Sequence, residues 1–210
     1  LFKLSDLRNR HAGETIWVLG SGPSLNFLDS NFFQDKLVVS TNHSARVLGV
    51  TPAYAFSHYH QDADDLSNDS GLVVTLAKNY LNNQPYPDTD NAKIVLAEQD
   101  NYQPPGSAWN PFTNPPRKDS LVFGSSSLHG AMHLAALLGA SHIILVGADC
   151  GTLDGENRVA GYQSGDTPWA IYNEHHRLMK EYLIQEYGVT VYSLNPFINL
   201  NLEGHTFNGS

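Results

Sequence analysis

Cysteine is almost absent from this chain: Cys150 is the only one in 210 residues. An intrachain disulfide and a thiolate cluster for zinc are therefore excluded, and a reducing, cytoplasmic setting is expected. No apolar run reaches the ~18 residues of a membrane span, and the N-terminus lacks the apolar core of a signal peptide. The chain begins at Leu1, which leaves open what precedes it. Basic residues are scarce and scattered, 12 Lys plus Arg against 21 Asp plus Glu, for a net charge of −9. Such a surface repels nucleic acid and anionic membrane. A polynucleotide partner is not expected, although backbone N–H groups can still hold a single nucleotide. No internal repeat is visible.

What is present is a series of short apolar runs, at 15–20, 36–41, 53–58, 71–76, 92–97, 142–147 and 189–194. They are continuous rather than alternating, the pattern of strands buried on both faces. Helices are predicted at 126–138, opened by serine and stopped by Gly139, and at 169–187, stopped by Gly188. In the second, Ile171, Leu178, Tyr182 and Leu183 fall near one face. Strands alternating with helices predict a Rossmann-like, doubly wound α/β fold, with a mostly parallel sheet and helices on both faces. One domain spanning 1–210 accommodates them. The exception is 99–120, which carries five prolines and no periodicity. Its Tyr102, Trp109 and Phe112 would seek burial, so it reads as a lid or excursion beside the site.

The stretch Gly20-Ser21-Gly22-Pro23-Ser24 follows the first run. It has two glycines of a dinucleotide fingerprint, but Leu25 replaces the third and Pro23 removes an N–H. The second run ends at Asn42 instead of the acid that would hold a ribose. A P-loop lysine is missing too. What remains is a turn that lets a phosphate or nucleotide edge approach the backbone at a helix start. Asn42 offers a donor and an acceptor on the same rim, or a helix cap.

Other candidates carry competing readings. His58 and His60 form an H-x-H pair with Asp62 nearby, but lack a third nitrogen ligand; exposed loop histidines are the simpler reading, with His58 as a substrate contact. His129 and His133 share a helix face without the glutamate of a metalloprotease, which suits hydrogen-bonded structural roles. Ser125, Ser126 and Ser127 stand at a helix N-terminus, a setting for phosphate or carboxylate. Asp149 ends a strand, where it can ligate magnesium or hold a sugar hydroxyl, while Asp154 suits a turn. His175 and His176 are general-base candidates at neutral pH, one of them expected at the surface.

The order of these pieces is familiar: "VLGSGPSL", a strand ending at Asn42, a strand ending "FSH", then "SSSLHGAMHLAALLGASHIILVGADC" and "YGVTVYSLNP". Over most of 14–196 it resembles the superfamily joining small bacterial sialyltransferases, motility accessory factor glycosyltransferases and MptE-like hydroxymethyldihydropterin pyrophosphokinases. The resemblance to the sialyltransferase branch implies that Gly20, Ser21, Gly22 and Asn42 contact a cytidine nucleotide, with Pro23 and Ser24 in the same loop. It implies that Ser126 and Ser127 approach the donor's phosphate or carboxylate. His58 stands where that branch tends to have asparagine. The branch's histidine base has no counterpart near Ile171, and His175 or His176, one turn later, would substitute.

The expectation is a glycosyltransferase-like enzyme using a nucleotide-activated sugar such as a CMP-nonulosonate, needing no cofactor. Its acceptor would be a small molecule or glycan, and an oligomer is left open. The pterin branch implies instead pyrophosphate transfer from ATP, with Mg2+ at Asp149. A non-catalytic nucleotide-binding protein is the third reading.

Overall fold

The computed structural model describes residues 3–77, 90–100, 109–113, 119–124, 126–153, 155–162 and 169–194. The apolar runs become β1 (Thr15–Leu19), β2 (Leu37–Thr41), β3 (Tyr54–Ser57), β4 (Leu72–Leu76), β5 (Ile94–Asp100), β7 (His142–Val146) and β8 (Thr190–Ser193). An eighth strand, β6 (Ser120–Val122), lies at the end of the proline-rich segment. Three residues are too few to show a period, so the sequence does not announce it. The sheet is parallel at every pairing, in the order β6-β5-β4-β3-β2-β1-β7-β8.

Both faces of the sheet are covered, which is why its strands read as unbroken apolar runs. Ile16, Val18, Val39, Phe56, Val74, Ile143 and Leu145 point to one face. There they meet α3 (Ser127–Leu137) and α4 (Trp169–Tyr187). Leu19, Val38 and Val146 point the other way, against Leu25, Phe33 and Ala45. Ala55, Val73 and Ile94 on that second face meet Ala63 and Leu66 of α2 (His60–Asp69). A one-turn helix, α1 (Ser44–Val47), follows β2. The expectation of a Rossmann-like α/β fold with helices on both faces agrees with this architecture.

α3 crosses the centre of the sheet and is buried along its whole length. Its Ala- and Leu-rich composition favours helix. The Ser126 side chain caps it by accepting the Leu128 N–H at 3.2 Å, and Gly139 ends it at φ +95°. Gly130 is required where the Phe56 ring lies against the helix backbone. No helix of the described residues is long and apolar enough to cross a membrane.

Strand order reverses at β1, whose neighbours are β2 on one side and β7 on the other. Connections leaving the carboxyl ends of β1 and β7 therefore part there and open a crevice, the usual ligand position in such sheets.

Candidate functional site

A polar cavity of about 180 Å³ occupies that crevice. β1 delivers Gly20, Ser21 and Gly22; β2 delivers Asn42, β3 delivers His58, and β7 delivers Asp149 and Cys150. Ser126 and Ser127 enter from the first turn of α3. Arg158 and Tyr162 close it from the loop after β7, and Tyr172 and His176 from α4. Pro23 and Ser24 sit beside it without lining it.

The glycine loop is tied to β7. Gly20 N–H donates to the Val146 carbonyl at 2.8 Å, and Gly22 N–H to that of Gly147 at 2.7 Å. Ser24 N–H donates to Oδ2 of Asp149 at 2.7 Å. A Cβ on Gly20 would meet the Gly147 oxygen at 2.5 Å, and one on Gly22 would run into the Asp149 carboxylate. These glycines serve close backbone approach within the protein. The segment that follows, Pro23–Phe27, is a 3-10 turn of five residues rather than the expected helix. Leu25, in the place of a third glycine, packs over Gly147.

Asn42 adopts left-handed backbone, φ +45°, and does not cap α1, where His43 holds the cap position. Its side chain instead reaches Ser127 across 85 residues of chain. Nδ2 donates to Ser127 Oγ at 3.3 Å and to the Tyr162 hydroxyl at 3.5 Å. Ser127 Oγ lies 2.7 Å from Nδ1 of His58. Burial pushes the His58 imidazole down to about 4 against the opposing pull of Asp62. The ring is thus neutral near pH 7, and Ser127 Oγ is hydrogen-bonded to both the His58 ring and the Asn42 amide, whose Oδ1 lies 3.4 Å away.

His58 and His60 diverge. His60 is fully buried, not exposed, with Nε2 2.5 Å from the Leu76 carbonyl. His129 and His133 are structural as expected: His133 Nδ1 accepts the Val122 N–H at 2.7 Å, and His129 Nδ1 accepts that of Ser126 at 3.4 Å. Among the described residues no group of His, Cys, Asp and Glu is placed to hold a metal ion.

His175 and His176 are both buried, so the expectation that one lies at the surface is corrected. His175 turns to Trp109, ring centroids 5.0 Å apart, and only His176 lines the cavity. Nδ1 of His176 lies 3.1 Å from Cys150 Sγ, and burial pushes this imidazole down to about 3. Burial, reinforced by the Asp149 charge, raises the Cys150 thiol to about 12, so it stays protonated. Ile171 is exposed instead of sharing the apolar face of α4.

Within the proline-rich segment, 101–108 (with Tyr102) and 114–118 lie outside the described residues, as do Ser125 and Asp154. Trp109 is buried as expected, stacked on His129 with centroids 5.0 Å apart, behind the cavity. Sequence reasoning missed Arg158, Tyr162 and Tyr172. The available signal was a lone arginine in a glycine-rich loop leaving the carboxyl edge of a strand. Burial lowers the Arg158 guanidinium from its ordinary value, with Tyr162 and Tyr172 beside it.

Magnesium binding was expected only under pyrophosphate transfer. Asp149 is the one carboxylate lining the cavity among the described residues, and it already accepts the Ser24 N–H. Magnesium is commonly held by one or two carboxylates together with substrate phosphates, so Asp149 is the residue that would hold it, with the remaining ligands coming from water and the substrate.

An all-parallel α/β sheet with a polar cavity at its switch point thus defines the class of this protein. Its fold is similar to that of the MAf glycosyltransferase from Magnetospirillum magneticum AMB-1, with a TM-score of 0.54 at 16% identity. That match covers 89% of this chain and 32% of the other, so the chain spans about a third of it. It is also similar to the Campylobacter jejuni sialyltransferase CstII. With the substrate analogue cytidine-5'-monophosphate, the TM-score is 0.52 at 14% identity over 95% of this chain and 88% of that one. With CMP-3FNeuAc it is 0.53 at 14%, over 94% and 88%. No protein-family model matches the sequence, and no curated protein matches it. At these identities the likeness is one of fold.

Proposed function

We propose that this protein is a glycosyltransferase that takes a sugar from a nucleotide-activated donor, a CMP-nonulosonate fitting best. The observation that carries the reading is the chain Asn42–Ser127–His58, which joins two strand ends and the start of α3 in one cavity. The fold likeness to glycosyltransferases, one of them bound to CMP and to CMP-3FNeuAc, supports it.

In this reading the glycosidic bond to the donor phosphate breaks and a bond to the acceptor oxygen forms. The nucleotide leaves as its monophosphate. Ser126, Ser127 and the first turn of α3 stabilise charge on the leaving phosphate. His176 takes the acceptor proton, and His58 orients Ser127. His175 and the loop residues Pro23 and Ser24 act only by supporting their neighbours. No cofactor is needed. A second, non-catalytic reading is favoured by one observation: imidazoles held at about 3 and about 4 are weak bases.

Thermal shift with CMP, CDP, UDP, ATP and GTP, each with and without Mg2+, tests the proposal. A ligand at 100 times its Kd stabilises by about 2.7 kcal/mol. CMP is expected to raise Tm without metal. A response confined to ATP with Mg2+ would transfer support to the pyrophosphokinase reading, and no response at all would sink a nucleotide site. CMP binding with no hydrolysis or transfer of a CMP-sugar would favour the non-catalytic reading.

A further inference from the structure

One wall of the cavity already contains an anion. Asp149 is buried at 6% exposure, and its Oδ2 accepts the N–H of Ser24 at 2.7 Å. Its carboxylate lies so close to Gly22 that no side chain fits between them. The N–H groups of Gly20 and Gly22 are directed to β7 carbonyls. A phosphate placed on the glycine loop would meet a fixed like charge, weakly screened because it is buried.

The same cavity also carries one cation. Arg158 is the only Lys or Arg among the described residues lining the cavity, in a chain of net charge −9. Its position is set by the backbone on either side. Nη1 donates to the Asn157 carbonyl at 2.8 Å, and the next residue, Val159, donates its N–H to the Ser21 carbonyl at 3.0 Å. Ala160 N–H, two residues on, donates to Asn26 Oδ1 at 2.8 Å. The loop that carries the arginine is thereby clasped to the loop that carries the glycines. Ser127 and the N-terminus of α3, which favours negative charge, line the same cavity.

We propose that Arg158, with Ser127 and the first turn of α3, binds the phosphate of the nucleotide donor, and that the nucleoside lies along the glycine loop with Asp149 accepting from one of its hydroxyl or amino groups. This rests on the nucleotide reading above, and it reverses the polarity of a phosphate-cradling glycine loop. A guanidinium fork matches a phosphate through two parallel hydrogen bonds, which a lysine cannot reproduce.

The test compares cytidine with CMP by calorimetric titration of the wild type, Arg158→Met and Arg158→Lys. A charge-assisted contact predicts that wild type binds CMP roughly tenfold to a hundredfold more tightly than cytidine. In Arg158→Met that gap closes to within about threefold while cytidine affinity is kept; Arg158→Lys falls between. An Arg158→Met protein that binds cytidine normally and keeps the full gap overturns the proposal.

Should Arg158→Met fail to fold, the 1H–15N resonance of the Arg158 Nε–H in the wild type decides the matter. It is expected to shift with CMP and not with cytidine, and equal behaviour with both overturns the assignment. Should neither ligand bind the wild type, the nucleotide reading falls. Inorganic phosphate is then titrated against the same resonance: a saturable shift keeps Arg158 as an anion site, and no shift removes it.

Discussion

At Gly20 a single added methyl group would meet the Gly147 carbonyl oxygen at 2.5 Å. That contact is with backbone, which cannot swing aside as a side chain does. Gly20→Ala is expected to cost about 1–3 kcal/mol through forced displacement of the loop, read by urea unfolding, together with loss of the CMP response. Stability equal to wild type would show that the loop is looser than its hydrogen bonds to β7 indicate. Asn42 permits a cleaner dissection, because its left-handed backbone suits glycine. Asn42→Gly keeps the turn and deletes the amide, whereas Asn42→Ala adds a strain of roughly 1–2 kcal/mol. Both variants should lose the CMP-induced rise in Tm, and the alanine variant should be the less stable of the two. A full CMP response in Asn42→Gly would remove this amide from the site.

Where α4 packs on α3, the interface is built from rings that titrate. His129 and His176 have centroids 4.7 Å apart, and Trp109 stacks on His129 at 5.0 Å. Burial holds His129 well below the ordinary histidine range and His176 at about 3. His175 is lowered too, with Glu174 pulling against the shift. The Cys150 thiol beside His176 stays protonated throughout. Because the folded values lie below the unfolded one, the unfolded chain binds more protons between them. Stability is therefore complete above the unfolded value of about 6.5 and falls as pH drops from there towards the folded values. For His176 the slope is about 1.4 kcal/mol per pH unit. Urea unfolding at pH 7, 6, 5 and 4 should show the decline, and His176→Gln should flatten it by about one proton. A curve that is level from pH 7 to 4 would contradict the burial of these rings.

This interface also marks where the helical pattern stopped being readable. The bounds of α3 and α4 follow from serine, glycine and the apolar repeat, but α4 buries His175 and His176 and exposes Ile171. Apolar rank points the opposite way. The imidazoles are buried because Trp109, His129 and Cys150 approach them from other parts of the chain. A periodicity within one segment contains no information about those partners.

For the molecule as a whole, the apolar runs were sufficient to show an α/β fold, because a strand covered on both faces must be apolar at consecutive positions. Gly20, Gly22, Asn42, His58, Asp149 and the serines at 126 and 127 were legible as rim residues by the same logic: each stands just past a strand or at a helix start. Leu25 and Asn42 argued from sequence alone against a dinucleotide site. Neighbours in the sheet, and the brief β6, were not legible, since strand order depends on pairings between distant segments. Nor was the polarity of the cavity. The Ser24–Asp149 hydrogen bond spans 125 residues and brings a carboxylate against the glycine loop, while Arg158 enters the same cavity from the loop after β7. Sequence by itself determined which residues at strand ends and at the start of α3 reach the rim, because burial and turn chemistry are local, but not Arg158, Tyr162 and Tyr172. Only the tertiary structure decided which charges share the cavity, because that depends on contacts made at long range.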